Sequence, residues 1–415
     1  YAPRIFSDVV SHLQRAGVVM GQCEFTNKEG ETTEVVRNIP RNWFDIWKYW
    51  VYHSCPAQPA IFFRREVLEN AMRAPDRFLD EDLYFGMDFD LWLRMAERFP
   101  FTTTSSRTYS YFRMYEENKS GKDGAIMYRE ASRIFRRHGN RRSLAERRAS
   151  IVIPTTTISP DFEATLRSCY SQNLTDFEII VWYRGERSAS KEVSDYVSHI
   201  ANESGDSRFR FFQATHFHSS FASDLIQLST VVRSPVLLIV NPGQLAFDDA
   251  VHNVSNIFDQ DSLSALILTG GNEELRRSLI VENEGREIFS IQSLFSGVDL
   301  PRSCAFRTLA LQELSEVQFH PNEALSLLEI LIFMQYKAWA IQVIGNGIVQ
   351  NLPPSAMSPF ERVNMAPDMY QAHLIDRVAT LRENDAFAEI RSEHGFIIEF
   401  PETTVHSARE FLRQQ

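Results

Sequence analysis

Two aspartates, Asp88 and Asp90, stand at the head of the run Met87-Asp88-Phe89-Asp90-Leu91-Trp92-Leu93-Arg94-Met95. Leu91, Trp92, Met95 and Phe99 recur at helical spacing, so residues from about 88 onward read as an amphipathic helix with both carboxylates in its first turn. The unpaired backbone N–H groups and the positive end of the helix dipole favour the ionised form there. A carboxylate so placed can take a proton from a substrate hydroxyl. It can equally be a helix cap, for which aspartate is a preferred residue. Just upstream, Asp80 and Glu81 lie in an acidic turn that suits a pocket wall or a solvated loop.

The elements that must position these groups follow from pattern. Residues 4–16 form a short amphipathic helix, Val18 to Phe25 a strand, Asn27-Lys28-Glu29-Gly30 a turn, and 32–37 the second arm of a hairpin. Trp43, Phe44, Ile46, Trp47 and Trp50 crowd one segment, as core packing or as an aromatic platform for a sugar ring. Ile61-Phe62-Phe63 is a buried strand, and Arg64 to Met72 a helix. Met127, Ala131, Ile134 and Phe135 share one face of a further helix. It runs into Arg133, Arg136, Arg137, Arg141, Arg142, Arg147 and Arg148, a basic linker that suits a solvated connector or a contact with anionic lipid or phosphate.

At 415 residues the chain is too long for one ordinary core and points to two or three domains. A hydrophobic content of 44% with 12% aromatics excludes broad disorder. A net charge of -11 and a pI near 5.6 argue against a nucleic-acid-binding surface. Cys23, Cys55, Cys169 and Cys304 are scattered without close pairs, as expected for free thiols in a reducing compartment. The most apolar tract, Leu325 to Met334, is interrupted by Glu329 and falls short of the roughly 20 residues of a membrane span. No signal peptide opens the chain, and Tyr1-Ala2-Pro3-Arg4 enters a helix pattern at once, as if in mid-fold.

Gln58-Pro59-Ala60 with Phe62-Phe63-Arg64-Arg65, Leu79-Asp80-Glu81, Met87 to Arg94, and Tyr111-Phe112-Arg113 through Asn118-Lys119-Ser120 occur in that order. Together they resemble the family 2 glycosyltransferases, inverting enzymes of the GT-A fold, over about residues 1–138. The resemblance implies an α/β architecture, a GT-A-type mostly parallel sheet with flanking helices. It makes Asp88 the catalytic base that activates an acceptor hydroxyl. Gln58, Asp80, Glu81, Asp90 and Trp92 fall on the acceptor side, and Arg113 and Lys119 on a loop over the donor phosphates. Where the family carries a histidine in that loop, this chain has Tyr115. The implied partners are a nucleotide-sugar donor and a glycan, lipid-linked or protein acceptor. The implied cofactor is a divalent metal, Mg²⁺ or Mn²⁺, and the implied location the cytoplasm or the membrane periphery. The family's opening strand, its acidic nucleotide turn and its Asp-x-Asp metal motif do not precede Tyr1. The first domain therefore reads as an acceptor half.

A second start comes at Ala149-Ser150-Ile151-Val152-Ile153-Pro154-Thr155. With Phe177 to Val181 and Val236 to Val240 it resembles a second copy of the same fold over residues 149–350, after a linker at 139–148. In this copy Trp182-Tyr183-Arg184-Gly185 stands at the nucleotide turn and Asn241-Pro242-Gly243-Gln244 at the metal motif, with no anionic residue in the latter. Cys304-Ala305-Phe306-Arg307 aligns with the Phe62–Arg64 region, and Glu323 to Glu329 with Gly86 to Trp92, which puts Leu325 at the base position. The copy thus reads as degenerate, kept for packing, assembly or acceptor binding. Asp248 and Asp249 read as helix caps rather than substitute ligands. His216 and His218 lack a third partner for a metal. Gly345-Asn346-Gly347 is a turn without the helix start of a phosphate loop. Residues 351–415 form a C-terminal extension: a Pro-marked stretch, a helix at 365–385, Phe396 to Phe400, and a last helix at 404–414. The alternative for the whole chain is a non-catalytic scaffold or carbohydrate-binding subunit, favoured if the natural protein begins near Tyr1.

Overall fold

Strand β1, Val18–Thr26, is the spine of the first unit. Its first residues, Val18, Val19 and Met20, are fully buried. The computed structural model describes residues 1–37, 42–48, 56–74, 77–114, 124–142, 146–213, 220–260, 264–269, 277, 279–283, 286–289, 303–321, 323–337, 339–344, 348–351, 367–384 and 400–414. Tyr115, Lys119, Trp50, Cys55, the 216–218 histidines, the 345–347 turn and Pro353, Pro354 and Pro359 lie outside them. The chain divides into two compact units, Tyr1–Gly139 and Asn140–Gln415.

In the first unit α1, Ile5–Leu13, buries Ile5 and Val9 one turn apart and precedes β1. Gly30, at φ 91°, supplies the left-handed backbone that the following turn needs, and β2, Thr32–Arg37, returns antiparallel to β1. After α2, Trp43–Trp47, come β3, Ile61–Phe63, α3, Arg65–Asn70, α4, Met87–Ala96, β4, Phe101–Arg113, and α5, Gly124–Arg142. β3 is antiparallel to β1 and β4 parallel to it, so this sheet is mixed. Trp43 and Trp47 are buried. The Trp47 ring stacks on Phe135 at 4.1 Å, and its indole N–H donates to the Phe135 carbonyl. These aromatics are core, not a sugar platform.

Gly21 of β1 faces Tyr109, which is fully buried and donates to Asp8 at 3.0 Å. Burial and that carboxylate push the Tyr109 phenol up to about 12. A Cβ on Gly21 would lie 2.1 Å from the Tyr109 ring. Gly21→Ala should therefore destabilise the first unit by about 1–3 kcal/mol through overpacking. Hydrogen exchange in β1 and β4 under denaturant would register it.

The second unit carries a seven-stranded sheet in the order β14-β10-β13-β8-β5-β6-β7. Its strands are β5, Ala149–Thr155, β6, Phe177–Tyr183, β7, Phe209–Gln213, β8, Val236–Ile239, β10, Ser264–Thr269, β13, Ser303–Arg307, and β14, Ala340–Val343. Every residue of β5, β6 and β8 is buried, as expected of parallel strands covered on both faces. β5 runs parallel to β6 and β8, β6 to β7, and β10 to β14. β13 alone inserts antiparallel between β8 and β10. Short β9, Gln244–Ala246, and β15, Val349–Asn351, pair with each other, and β11, Ile280–Asn283, pairs with β12, Arg286–Phe289. The expected α/β class, with a mostly parallel sheet and flanking helices, is what this unit shows.

Its helices are α6, Pro160–Tyr170, α7, Ser190–Ser204, α8, Phe221–Ser229, α9, Ala250–Gln260, α10, Thr308–Gln312, α11, Glu323–Tyr336, α12, Pro367–Asn384, and α13, Glu402–Arg413. The C-terminal helices belong to this unit. Arg377 of α12 pairs at 3.0 Å with Glu329 of α11, a residue only 1% exposed, and Arg409 of α13 pairs with Asp376 and Glu383. Cys23, Cys169 and Cys304 are buried free thiols. No helix among the described residues is long and apolar enough to cross a membrane.

Candidate functional site

The helix expected around residue 88 is α4, and its start is fixed by an ionic cluster that spacing alone did not reveal. Asp90 is 1% exposed. Its Oδ2 accepts Arg94 Nε at 3.0 Å, and its Oδ1 meets His138 Nε2 at 2.7 Å and accepts Arg137 Nη2. Burial by itself would raise the Asp90 pKa. The His138 hydrogen bond and the Arg94 and Arg137 charges overcome it and hold the carboxyl far below the usual range. Asp80 is drawn into the same cluster by Arg137 Nη1 at 2.8 Å and by Arg73. Against its own burial, these cations also lower its pKa. Arg94 extends the network to the carbonyls of Ala71 and Phe78.

The sequence sets Arg137 in an arginine run that suits a solvated connector or a contact with anionic lipid or phosphate. The structure instead puts it on the inner face of α5, between two acidic residues. The signal was its helical spacing from Ile134, which is fully buried. One turn earlier on the same helix, the Glu130 carboxylate accepts three backbone N–H groups, from Tyr84 at 2.8 Å, Phe85 at 2.7 Å and Gly86 at 2.9 Å. Sequence reasoning missed this residue altogether.

Asp88 differs from its neighbour. It is half-buried, and its Oδ1 accepts the Phe89 N–H at 2.8 Å. Asp90 belongs to the buried cluster. Trp92 is 3% exposed and packs edge-on against Phe63 at 6.0 Å. Glu81 is exposed in the acidic turn, and Gln58 is exposed in a one-turn 3₁₀ helix before β3. Arg113 is exposed at the end of β4, in register with Thr26 of β1.

In the second unit the positions expected for nucleotide and metal are filled by other chemistry. Arg184 follows β6 and donates its N–H to Thr155 at 2.9 Å. Its guanidinium lies 5.0 Å from the Trp182 ring and 5.1 Å from Phe221, and reaches Asp224 at 3.4 Å. In the Asn241–Gln244 turn, Gln244 Oε1 accepts the Asn241 N–H at 2.9 Å and the Ser303 hydroxyl. Thr165 Oγ1 accepts the Gly243 N–H at 3.1 Å and donates to the Gln244 carbonyl at 2.8 Å. This turn offers neutral amides engaged with one another, and among the described residues no three His, Cys, Asp or Glu side chains group closely enough to hold a metal. The residues present do not fit the expected divalent ion. Leu325 is fully buried, and Asp248 and Asp249 are exposed just before α9.

No family model and no curated protein matches the chain. Solved structures similar to it include Staphylococcus aureus TarS 1-349, 12% identical over 58% of this chain and 74% of that one, with a TM-score of 0.37. Another is the mannosyltransferase PcManGT from Pyrobaculum calidifontis, solved with GDP-Man and Mn²⁺. It is 14% identical over 70% of this chain and 84% of its own, with a TM-score of 0.39. A third is glucosyl-3-phosphoglycerate synthase from Mycobacterium tuberculosis, solved with Mn²⁺, UDP and phosphoglyceric acid. It is 16% identical over 57% and 81%, with a TM-score of 0.37.

Proposed function

We propose that the first unit is the acceptor half of an inverting glycosyltransferase of the family 2 type, with Asp88 as general base. One observation carries the reading: of the two carboxylates in the first turn of α4, Asp90 is buried against Arg94 and Arg137 and Asp88 is the one that reaches solvent. Asp88 would take the proton of an acceptor hydroxyl as that oxygen bonds to the anomeric carbon of a nucleotide sugar. The bond to the diphosphate breaks on the opposite face, and the nucleoside diphosphate leaves with the electron pair, inverting the configuration. Glu81 and Gln58, both exposed, suit the acceptor side, and Arg113, with Lys119, the anionic leaving group.

The second unit is read as a degenerate copy. β10 is antiparallel to β13 and parallel to β14, as β1 is to β3 and β4. Arg64 and Arg307 each precede the helix after the antiparallel strand. α12 grips α11 through Arg377 and Glu329 much as α5 grips α4 through Arg137 and Asp90. Arg184 and the Asn241–Gln244 turn favour a non-catalytic role for this copy, in assembly or acceptor binding. A cytoplasmic or membrane-peripheral location and a glycan, lipid-linked or protein acceptor fit this reading.

The test is incubation of the protein with a panel of nucleoside diphosphate sugars and hydroxyl acceptors, followed by NMR of the anomeric proton. The expected product has inverted configuration and forms with release of the nucleoside diphosphate. A retained configuration would overturn the assignment.

A further inference from the structure

We propose that Glu130 of α5 is the positioning residue for Asp88, an inference that rests on the base assignment above. The turn before α4 places three N–H groups, of Tyr84, Phe85 and Gly86, on one carboxylate at 2.7–2.9 Å. Gly86 is the N-cap of α4, and the structure gives it no side-chain cap bond. The Gly86 N–H, first of those that α4 cannot pair within the helix, needs an outside acceptor, and the Tyr84 and Phe85 N–H groups of the turn before it need one too. Glu130 supplies that acceptor from a helix more than forty residues downstream.

The contact is close as well as polar. A Cβ on Gly86 would lie 2.4 Å from Ile134 Cδ1, so the missing side chain lets α5 approach the turn. On the next turn of α5, Arg137 reaches both Asp80 and Asp90. α5 therefore holds α4 at two levels, Glu130 just before its first residue and Arg137 a turn into it, and Asp88 lies between them. Misplacing a reacting group by about 1 Å can cost on the order of 10²-fold in rate. Holding this turn is accordingly a catalytic requirement as well as a stabilising contact.

The experiment uses the full chain and three readouts: sugar transfer kinetics, peptide-resolved hydrogen exchange over residues 84–88, and exchange in β1 and β4 as a gauge of folding. Glu130→Ala should lower kcat by about ten- to a hundredfold and leave the donor KM within about twofold. Exchange at Tyr84, Phe85 and Gly86 should quicken while β1 and β4 keep their protection. Glu130→Gln, which keeps one acceptor oxygen for three donors, should fall between Glu130→Ala and wild type. Faster exchange with kcat within about twofold of wild type would overturn the positioning role. Unchanged exchange would show that the carboxylate does not hold the turn, and would overturn it too. If Glu130→Ala unfolds the unit, Glu130→Gln decides by the same criteria. A wild-type protein that binds a nucleotide-sugar donor and still transfers no sugar defeats the base assignment instead, and the exchange readout still judges whether Glu130 holds the turn.

Discussion

Asp88→Asn should reduce sugar transfer by about 10²–10⁴-fold, the range a positioned general base contributes. The fold should survive the change. Asp88 is half-buried, and its Oδ1 accepts the Phe89 N–H, a bond that an asparagine oxygen can also accept. The donor KM should stay near the wild-type value, because an amide of the same shape removes proton acceptance and little ground-state binding. Steady-state kinetics with a matched unfolding curve would check both parts. Retained turnover in a folded variant would remove Asp88 from its role. A loss of activity that tracks a loss of stability would point back to structure.

That contrast between Asp88 and Asp90 was only half legible in the sequence. The helix was readable because Leu91, Trp92 and Met95 recur at helical spacing, and α4 begins at Met87 as that spacing implies. Two residues apart on a helix place two side chains about 200° apart, so the aspartates had to face different surroundings. Which of them faced inward could not be read, because Phe89 through Met95 are all buried and the apolar stripe wraps around the helix. The partners of Asp90, at Arg137 and His138, are nearly fifty residues away, and no spacing rule connects them. A run of arginines looks solvated until tertiary packing brings a buried carboxylate to one of them. Parallel strands were easier, since β5, β6 and β8 are dominated by apolar residues on both faces, which burial on both faces accommodates. The Trp43 and Trp47 cluster illustrates the converse limit: aromatic content signals large buried area, but not whether a ring face meets a ligand or, as here, Phe135.

Replacing Asp90 should damage the fold rather than the chemistry. Asp90→Ala leaves Arg94, itself 7% exposed, without its carboxylate, together with the inward nitrogens of Arg137 and His138. Breaking a buried pair from one side typically costs about 3–5 kcal/mol, because the remaining charge is desolvated and uncompensated. The dependence on pH follows from the depressed pKa. Asp90 binds its proton less readily folded than unfolded, where the value is about 3.9, so its ionised form stabilises the folded state. The contribution is complete above the unfolded pKa and is lost as the pH falls below about 4 toward the folded value. Asp80, shifted in the same direction, adds to the same acid-side loss. Hydrogen exchange in residues 84–96, which reports the first unit separately from the second, should show stability that is level from about pH 5 to 8 and declines below about pH 4. In Asp90→Asn that decline should be shallower, since one of the two titrating carboxyls is gone. An acid limb of wild-type steepness in the asparagine variant would mean that Asp90 does not carry the linkage.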